Sequence, residues 1–163
     1  MKLLIIPGKL AIMNLETGST RTLFDGEDGG VSGLTWLSNE RIMFNSNPSR
    51  AAGIKSYGLR AMNLDGSKKK TLMEYVSNSG KRINFSVVSL LPDDKNNIAI
   101  KVNDRRESVY DYYKLNINSG KKVRIANGPD IENEAWVADS VESPDGMPVT
   151  VTTNYKDEWR IYA

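Results

Sequence analysis

The sequence predicts an all-β chain built from four-stranded β-propeller blades. Two observations carry that prediction. A hairpin unit recurs with a period of roughly 40–50 residues, as propeller blades do. No segment shows the apolar spacing of an amphipathic helix of three turns or more.

The hairpin comes first. It reads Met13-Asn14-Leu15-Glu16-Thr17-Gly18 and then Arg21-Thr22-Leu23. It returns as Met62-Asn63-Leu64-Asp65-Gly66 before Lys70-Thr71-Leu72, and as Leu115-Asn116-Ile117-Asn118-Ser119-Gly120 before Val123-Arg124-Ile125. Each copy is an apolar-Asn-apolar strand end, a turn with the glycine that positive φ requires, and a strand leading away. A second unit precedes each later hairpin. Leu34-Thr35-Trp36-Leu37 turns through Ser38-Asn39-Glu40 into Arg41-Ile42-Met43-Phe44. Val87-Val88-Ser89-Leu90-Leu91 turns through Pro92-Asp93-Asp94-Lys95 into Ile98-Ala99-Ile100. Glu134-Ala135-Trp136-Val137 leads through Ser143-Pro144-Asp145-Gly146 to Val149-Thr150-Val151. Proline and aspartate sit where turns start.

Ordering the units gives strands a, b, c and d, then a again. The strand-c positions Met13, Met62, Leu115 and Ile161 are 49, 53 and 46 residues apart. The predicted segments are 1–30 (the end of a blade), 31–84 and 85–133 (complete blades) and 134–163 (a blade without its last strand), all within one partial propeller domain. Residues 2–6 read as a stunted strand b. The inner strands a and b are expected to hold the core through Leu34, Trp36, Ile42, Phe44, Val88, Leu90, Ile98 and Ile100. Lys68-Lys69-Lys70 and Lys121-Lys122 open the d strands, where charge discourages edge-to-edge pairing. About three blades' worth of strands leaves the ring incomplete within this chain, since propellers have about four to eight blades. Either a longer propeller continues it or a homodimer completes one ring, and the strand count favours the first.

At 163 residues, the chain is long enough for one domain with a core. Its 22 Lys and Arg against 20 Asp and Glu exert no general pull on nucleic acid or acidic membranes. Neither is an expected partner. The sequence has no histidine and no cysteine. A Ser-His-Asp or Cys-His arrangement, thiolate zinc and disulfides are therefore outside its reach. The run Leu3-Leu4-Ile5-Ile6 is too short for a signal-peptide core or a membrane span. No targeting segment is read, and cytoplasm and periplasm both stay open.

Each candidate site has a structural reading beside the functional one. Asp25-Gly26-Glu27-Asp28-Gly29-Gly30 lacks the later bidentate glutamate of a calcium loop and reads as a blade connector. Asp130, Glu132 and Glu134 read as a solvated acidic connector. Arg105-Arg106 with Tyr110, Tyr112 and Tyr113 read as a half-exposed strand, although Arg and Tyr also favour interfaces. Trp36, Trp136 and Trp159 hint at a sugar-binding propeller but read more simply as blade core. Asn84-Phe85-Ser86 fits a glycosylation sequon. There is no G-x-S-x-G elbow, P-loop or dinucleotide fingerprint. No catalytic, cofactor-binding or metal residue is assigned, and no cofactor is expected.

The blade wording carries a resemblance. Trp36-Leu37-Ser38-Asn39-Glu40-Arg41-Ile42-Met43-Phe44 resembles the "W-x-(N/D)-(D/E)-R-(I/V)-x-F" strand pair of propellers in prolyl-oligopeptidase-family serine peptidases, the acylaminoacyl- and dipeptidyl-peptidase-like group. Tyr57-Gly58-Leu59-Arg60-Ala61-Met62-Asn63-Leu64-Asp65-Gly66-Ser67 is similar to their "L-x-x-(I/M)-N-x-D-G" strand and turn. Val88 to Asp94 with Tyr112 to Gly120 is similar to the following blade. Ser143-Pro144-Asp145-Gly146 resembles a turn shared with TolB-like propellers. The resemblance implies a non-catalytic propeller segment that gates peptide access to a separate α/β-hydrolase domain and docks it. Its partners would be that hydrolase domain and peptide substrates. The Ser-Asp-His triad of the family lies in the hydrolase domain, so no triad residue maps onto this chain. A stand-alone TolB-like scaffold binding a protein or peptide is the alternative.

Overall fold

The computed structural model describes residues 2–6, 9–25, 30–47, 58–77, 79–131, 135–156 and 158–163. The described residues form strands and turns with no helix. The strands are β1 (Lys2–Ile6), β2 (Lys9–Met13), β3 (Thr20–Asp25), β4 (Gly30–Trp36), β5 (Arg41–Asn47), β6 (Gly58–Asn63) and β7 (Lys70–Glu74). They continue as β8 (Phe85–Ser89), β9 (Asn97–Arg106), β10 (Val109–Asn116), β11 (Lys122–Ala126), β12 (Trp136–Glu142), β13 (Pro148–Tyr155) and β14 (Glu158–Tyr162). Every sheet is an antiparallel meander in chain order: β1-β2-β3, β4-β5-β6-β7, β8-β9-β10-β11 and β12-β13-β14. The two middle sheets are the four-stranded blades predicted from the hairpins, and the first and last sheets have three strands each. Residues 2–6 make a full strand, paired with β2 from Lys2 opposite Met13 to Ile6 opposite Lys9. The expected stunting is absent because the whole of β2 offers its edge.

The turn asparagines explain why the hairpins close where they do. Asn14 Oδ1 accepts from the amide of Glu16 at 2.9 Å, and Gly18 N donates to Asn14 O at 2.9 Å. Asn63 N donates to Ser67 O and Asn116 N donates to Lys121 O, both at 2.9 Å. The first and third turns therefore have one length, and the second is one residue shorter.

The chain divides into two compact units, Met1–Lys81 with Asn118–Gly120 and Arg82–Ile117 with Lys121–Ala163. In the first, Leu10, Ile12 and Leu23 of one sheet bury against Val31, Ile42, Phe44, Met62 and Leu64 of the next. Phe24 and Phe44 pack with ring centroids 5.1 Å apart, and Arg60 lies over Phe24. Arg21 staples the two sheets by donating to the carbonyls of Leu64 at 2.6 Å and Asp65 at 2.9 Å. In the second unit, Val109, Ile131 and Ala135 form a buried cluster with Val137, Tyr155 and Tyr162 against it.

Strands b and c hold most of this core, and strand a adds Val31 with Leu34 packed against it. Ile42, Phe44, Ile98 and Ile100 are buried as expected, but Trp36 is 45% and Leu90 45% exposed. Trp136 and Trp159 are 49% and 65% exposed, which overturns their reading as blade core. Strand a has one hydrogen-bonded neighbour in its sheet, so fewer side chains surround it. The fourth copy also sits in a different register. Phe44 pairs with Arg60, Ile100 with Tyr113 and Val151 with Tyr162, each with its strand-b member buried. On that register, Ile161 is equivalent to Leu59 and Tyr112, not to Met62.

The S-P-D-G turn is packed as well as bent. Gly146 has φ +80°, and a Cβ there would collide with the Cβ of Ala99. Gly66 has φ +87°, and a Cβ there would meet only Arg21 Nη1, at an ordinary 4.0 Å. Gly66→Ala should therefore cost about 1–2 kcal/mol from its left-handed backbone alone, and Gly146→Ala should cost more. Denaturant unfolding of the two variants measures the difference, and equal losses would contradict the packing. Phe44→Ala should lose about 3–5 kcal/mol in the same experiment, against less than about 0.5 kcal/mol for exposed Val123→Ala.

Candidate functional site

In the second unit, the charged side chains gather into a network on one blade. Asp111 on β10 is fully buried and accepts from Arg105 Nε and Nη2, both at 2.9 Å, and from Gly128 N at 2.9 Å. Arg124 Nε stands 3.8 Å away. Asp104 accepts from Tyr113 OH at 2.9 Å and from Lys122, whose ammonium also lies over the Tyr113 ring. Burial would push the Asp111 carboxyl up. The Arg105 hydrogen bonds, the Gly128 amide and the charges of Arg105 and Arg124 together hold it below the ordinary carboxylate range. Asp104 is held low in the same way, with burial opposed by Lys122 and Tyr113. Burial pushes the Tyr113 hydroxyl up.

The Arg105-Arg106 and tyrosine segment is thus built into the blade. Tyr112 and Tyr113 are buried, and Arg106 Nη1 donates to Ile131 O at 2.6 Å. The half-exposed reading holds for Arg105, Arg106 and Tyr110, whereas Tyr112 and Tyr113 are buried against it. Between the two sheets of this unit, Lys101 Nζ reaches Ser140 Oγ at 2.6 Å and Glu142 Oε1 at 2.9 Å. That is the spacing of a serine-lysine nucleophile and base. Here, however, Ser140 Oγ also donates to Glu142 at 2.6 Å, and Lys101 is in an ion pair. A base needs a neutral amine, so this trio serves as a polar bridge between blades.

The first unit holds a cleft of about 620 Å³ at its hairpin tips, lined by Asn14, Arg21, Glu40, Asn63 and Asp65 among others. Ser67 holds Asp65 through its hydroxyl and amide and keeps the carboxyl low. Amides and carboxylates facing a groove suit a polypeptide or an amine. Arg21 is already committed to two carbonyls. The cleft went unnoticed in the sequence because its walls are the turn residues themselves.

Of the other sequence candidates, residues 26–29 of the Asp25–Gly30 loop, with Glu132 and Glu134, lie outside the described residues. Among the described residues, no three His, Cys, Asp or Glu side chains come together as a metal site, and no helix is long and apolar enough to cross a membrane.

No family model matches the chain, and no curated protein sequence does. Solved structures do match in fold. An oligogalacturonate lyase in complex with manganese aligns at a TM-score of 0.56 and 10% identity, over 91% of this chain and 36% of its own. The chain thus spans about a third of that protein's length. At this identity the likeness shows the fold alone: an all-β, propeller-like chain of four-stranded antiparallel sheets.

The network makes a pH prediction with a definite sign. The contribution of Asp104 and Asp111 to stability is complete above the unfolded carboxylate pKa of about 3.9 and is lost as pH falls through their lower folded values. Asp111→Asn should cost about 2 kcal/mol near neutral pH, because Arg105 remains partly exposed and can turn to water. The gap between wild type and variant should shrink below about pH 4 in denaturant titrations. A gap unchanged by acid would contradict the assignment.

Proposed function

We propose that this chain is the non-catalytic propeller segment of a prolyl-oligopeptidase-like serine peptidase, gating peptide access to a separate α/β-hydrolase domain and docking that domain. The observation that supports this reading most is the division of labour among its polar groups. The closest approach to a nucleophile and base, Ser140 with Lys101, is tied up by Glu142. There is no histidine to serve instead. What the fold offers is blades and a polar groove at the hairpin tips. Gating needs no more than that: a rigid wall that admits extended peptides and excludes folded proteins. The blade wording around Trp36–Phe44 and Tyr57–Ser67 supplies the link to the peptidases. A TolB-like scaffold shares the S-P-D-G turn, and it would bind a protein or peptide with no hydrolase involved. The manganese and the oligogalacturonate belong to the structural neighbour. The chain has no histidine, and its described residues bring no three acidic side chains together.

The purified chain should show no hydrolysis of chromogenic peptide esters. Added to a prolyl-oligopeptidase-like hydrolase domain from the same host, prepared without its own propeller, it should bind. It should also lower the cleavage of folded proteins relative to short peptides. No binding and an unchanged substrate ratio would overturn the peptidase reading in favour of the scaffold.

A further inference from the structure

The first and last sheets in chain order carry the two halves of one blade-to-blade joint. Inside the first unit, the joint is visible in full. Leu64, at the tip of the β6-β7 turn, enters a core cluster that includes Leu10 and Ile12 on β2 of the preceding blade. Arg21 of that blade secures the tip through the Leu64 and Asp65 carbonyls. The plug is the apolar residue after the turn asparagine, and the socket is the face of strand c on the neighbouring sheet.

Leu15 occupies the plug position of the first blade, after Asn14 as Leu64 follows Asn63. Leu64 and Ile117, its equivalents, are buried, whereas Leu15 is 61% exposed. The socket recurs on β14. Leu10, Leu59 and Tyr112 each stand four residues before a turn asparagine (Asn14, Asn63, Asn116), and all three are buried. Ile161 holds the same strand-c place, opposite Thr152 as Leu59 is opposite Asn45 and Tyr112 is opposite Lys101. It is 73% exposed, beside the exposed Trp159 on the same strand. The other side of this sheet is covered, since Val151, Thr153 and Ala135 are buried. A three-stranded sheet with one apolar face in water is a joint without its partner.

We infer that the face of β12–β14 around Ile161 and Trp159 docks a second copy of this chain head to tail, receiving its Leu15 turn as Leu10 and Ile12 receive Leu64. The occupant is chosen because the chain itself carries the matching plug, and the joint continues one already formed within it. Such a contact is heterologous: each copy keeps one free plug and one free socket. Two copies that close on each other make a ring, and copies that do not close make a chain of blades.

Because the contact has two different halves, complementation tests it. Wild type should self-associate with concentration in sedimentation velocity. Leu15→Asp and Ile161→Asp should each weaken association at least tenfold without changing the thermal unfolding profile, since both side chains face water in the single chain. Mixing the two variants should restore a two-chain species and nothing larger, as one carries an intact socket and the other an intact plug. A monomeric wild type at ~100 µM, far above what a specific joint of micromolar affinity needs, would overturn the inference. So would association indifferent to either substitution, or a mixture that stays monomeric.

Discussion

Each sheet in this chain has two faces and can satisfy only one of them with its own strands' polar edges and turns; the other requirement, an apolar lid, comes from the next sheet. That dependence organises everything else. The cluster around Leu10, Ile42, Phe44 and Met62 is contributed by two sheets, and neither would keep it dry alone. At about 25 cal/mol per Å² of apolar surface removed from water, the burial of these side chains outweighs any single polar contact in the molecule. Arg21, Lys101 and Arg106 then fix how the sheets meet, through hydrogen bonds that are weaker but directional.

The polar groups follow from the same requirement. A carboxylate as buried as Asp111 is tolerated only when hydrogen bonds and opposite charge replace its water, and Arg105, Arg124 and Gly128 do so. Asp104, Tyr113 and Lys122 repeat the arrangement on adjoining strands. Such groups are unsuited to chemistry because their protons and charges are already engaged. The hairpin tips are different: they face water, and their amides and carboxylates are available to a ligand.

Much of the fold was legible because its punctuation is chemical. Asn14, Asn63 and Asn116 with their glycines announce the hairpins, and the apolar runs around Ile42 and Ile98 announce strand b. The legibility ended where neighbours in space are distant in sequence. Glu142 meets Lys101 across 41 residues, and no local pattern forecasts that pair. Arg21 binds backbone carbonyls, which have no signature in the sequence at all. The exposure of Trp36, Trp136 and Trp159 depends on how many strands surround them, a property of sheet position and not of residue type. The register of β14 escaped because it is set by the hairpin between β13 and β14, where Tyr155 faces Glu158, and not by the look of the strand. The cleft, being a shape, has no residue pattern either.

The plain chain-order meander of every sheet bears on how the protein comes into being. Each hydrogen-bonded strand pair joins sequence neighbours, so no strand waits for a distant one before its backbone is paired. Contact order within a sheet is therefore low, and little loop-closure entropy delays each step. A nascent chain leaving a ribosome can zip one hairpin after another, from β1 onward, and within each unit the second sheet emerges in time to cover the first. Synthesis therefore delivers the strands in the order in which they pair.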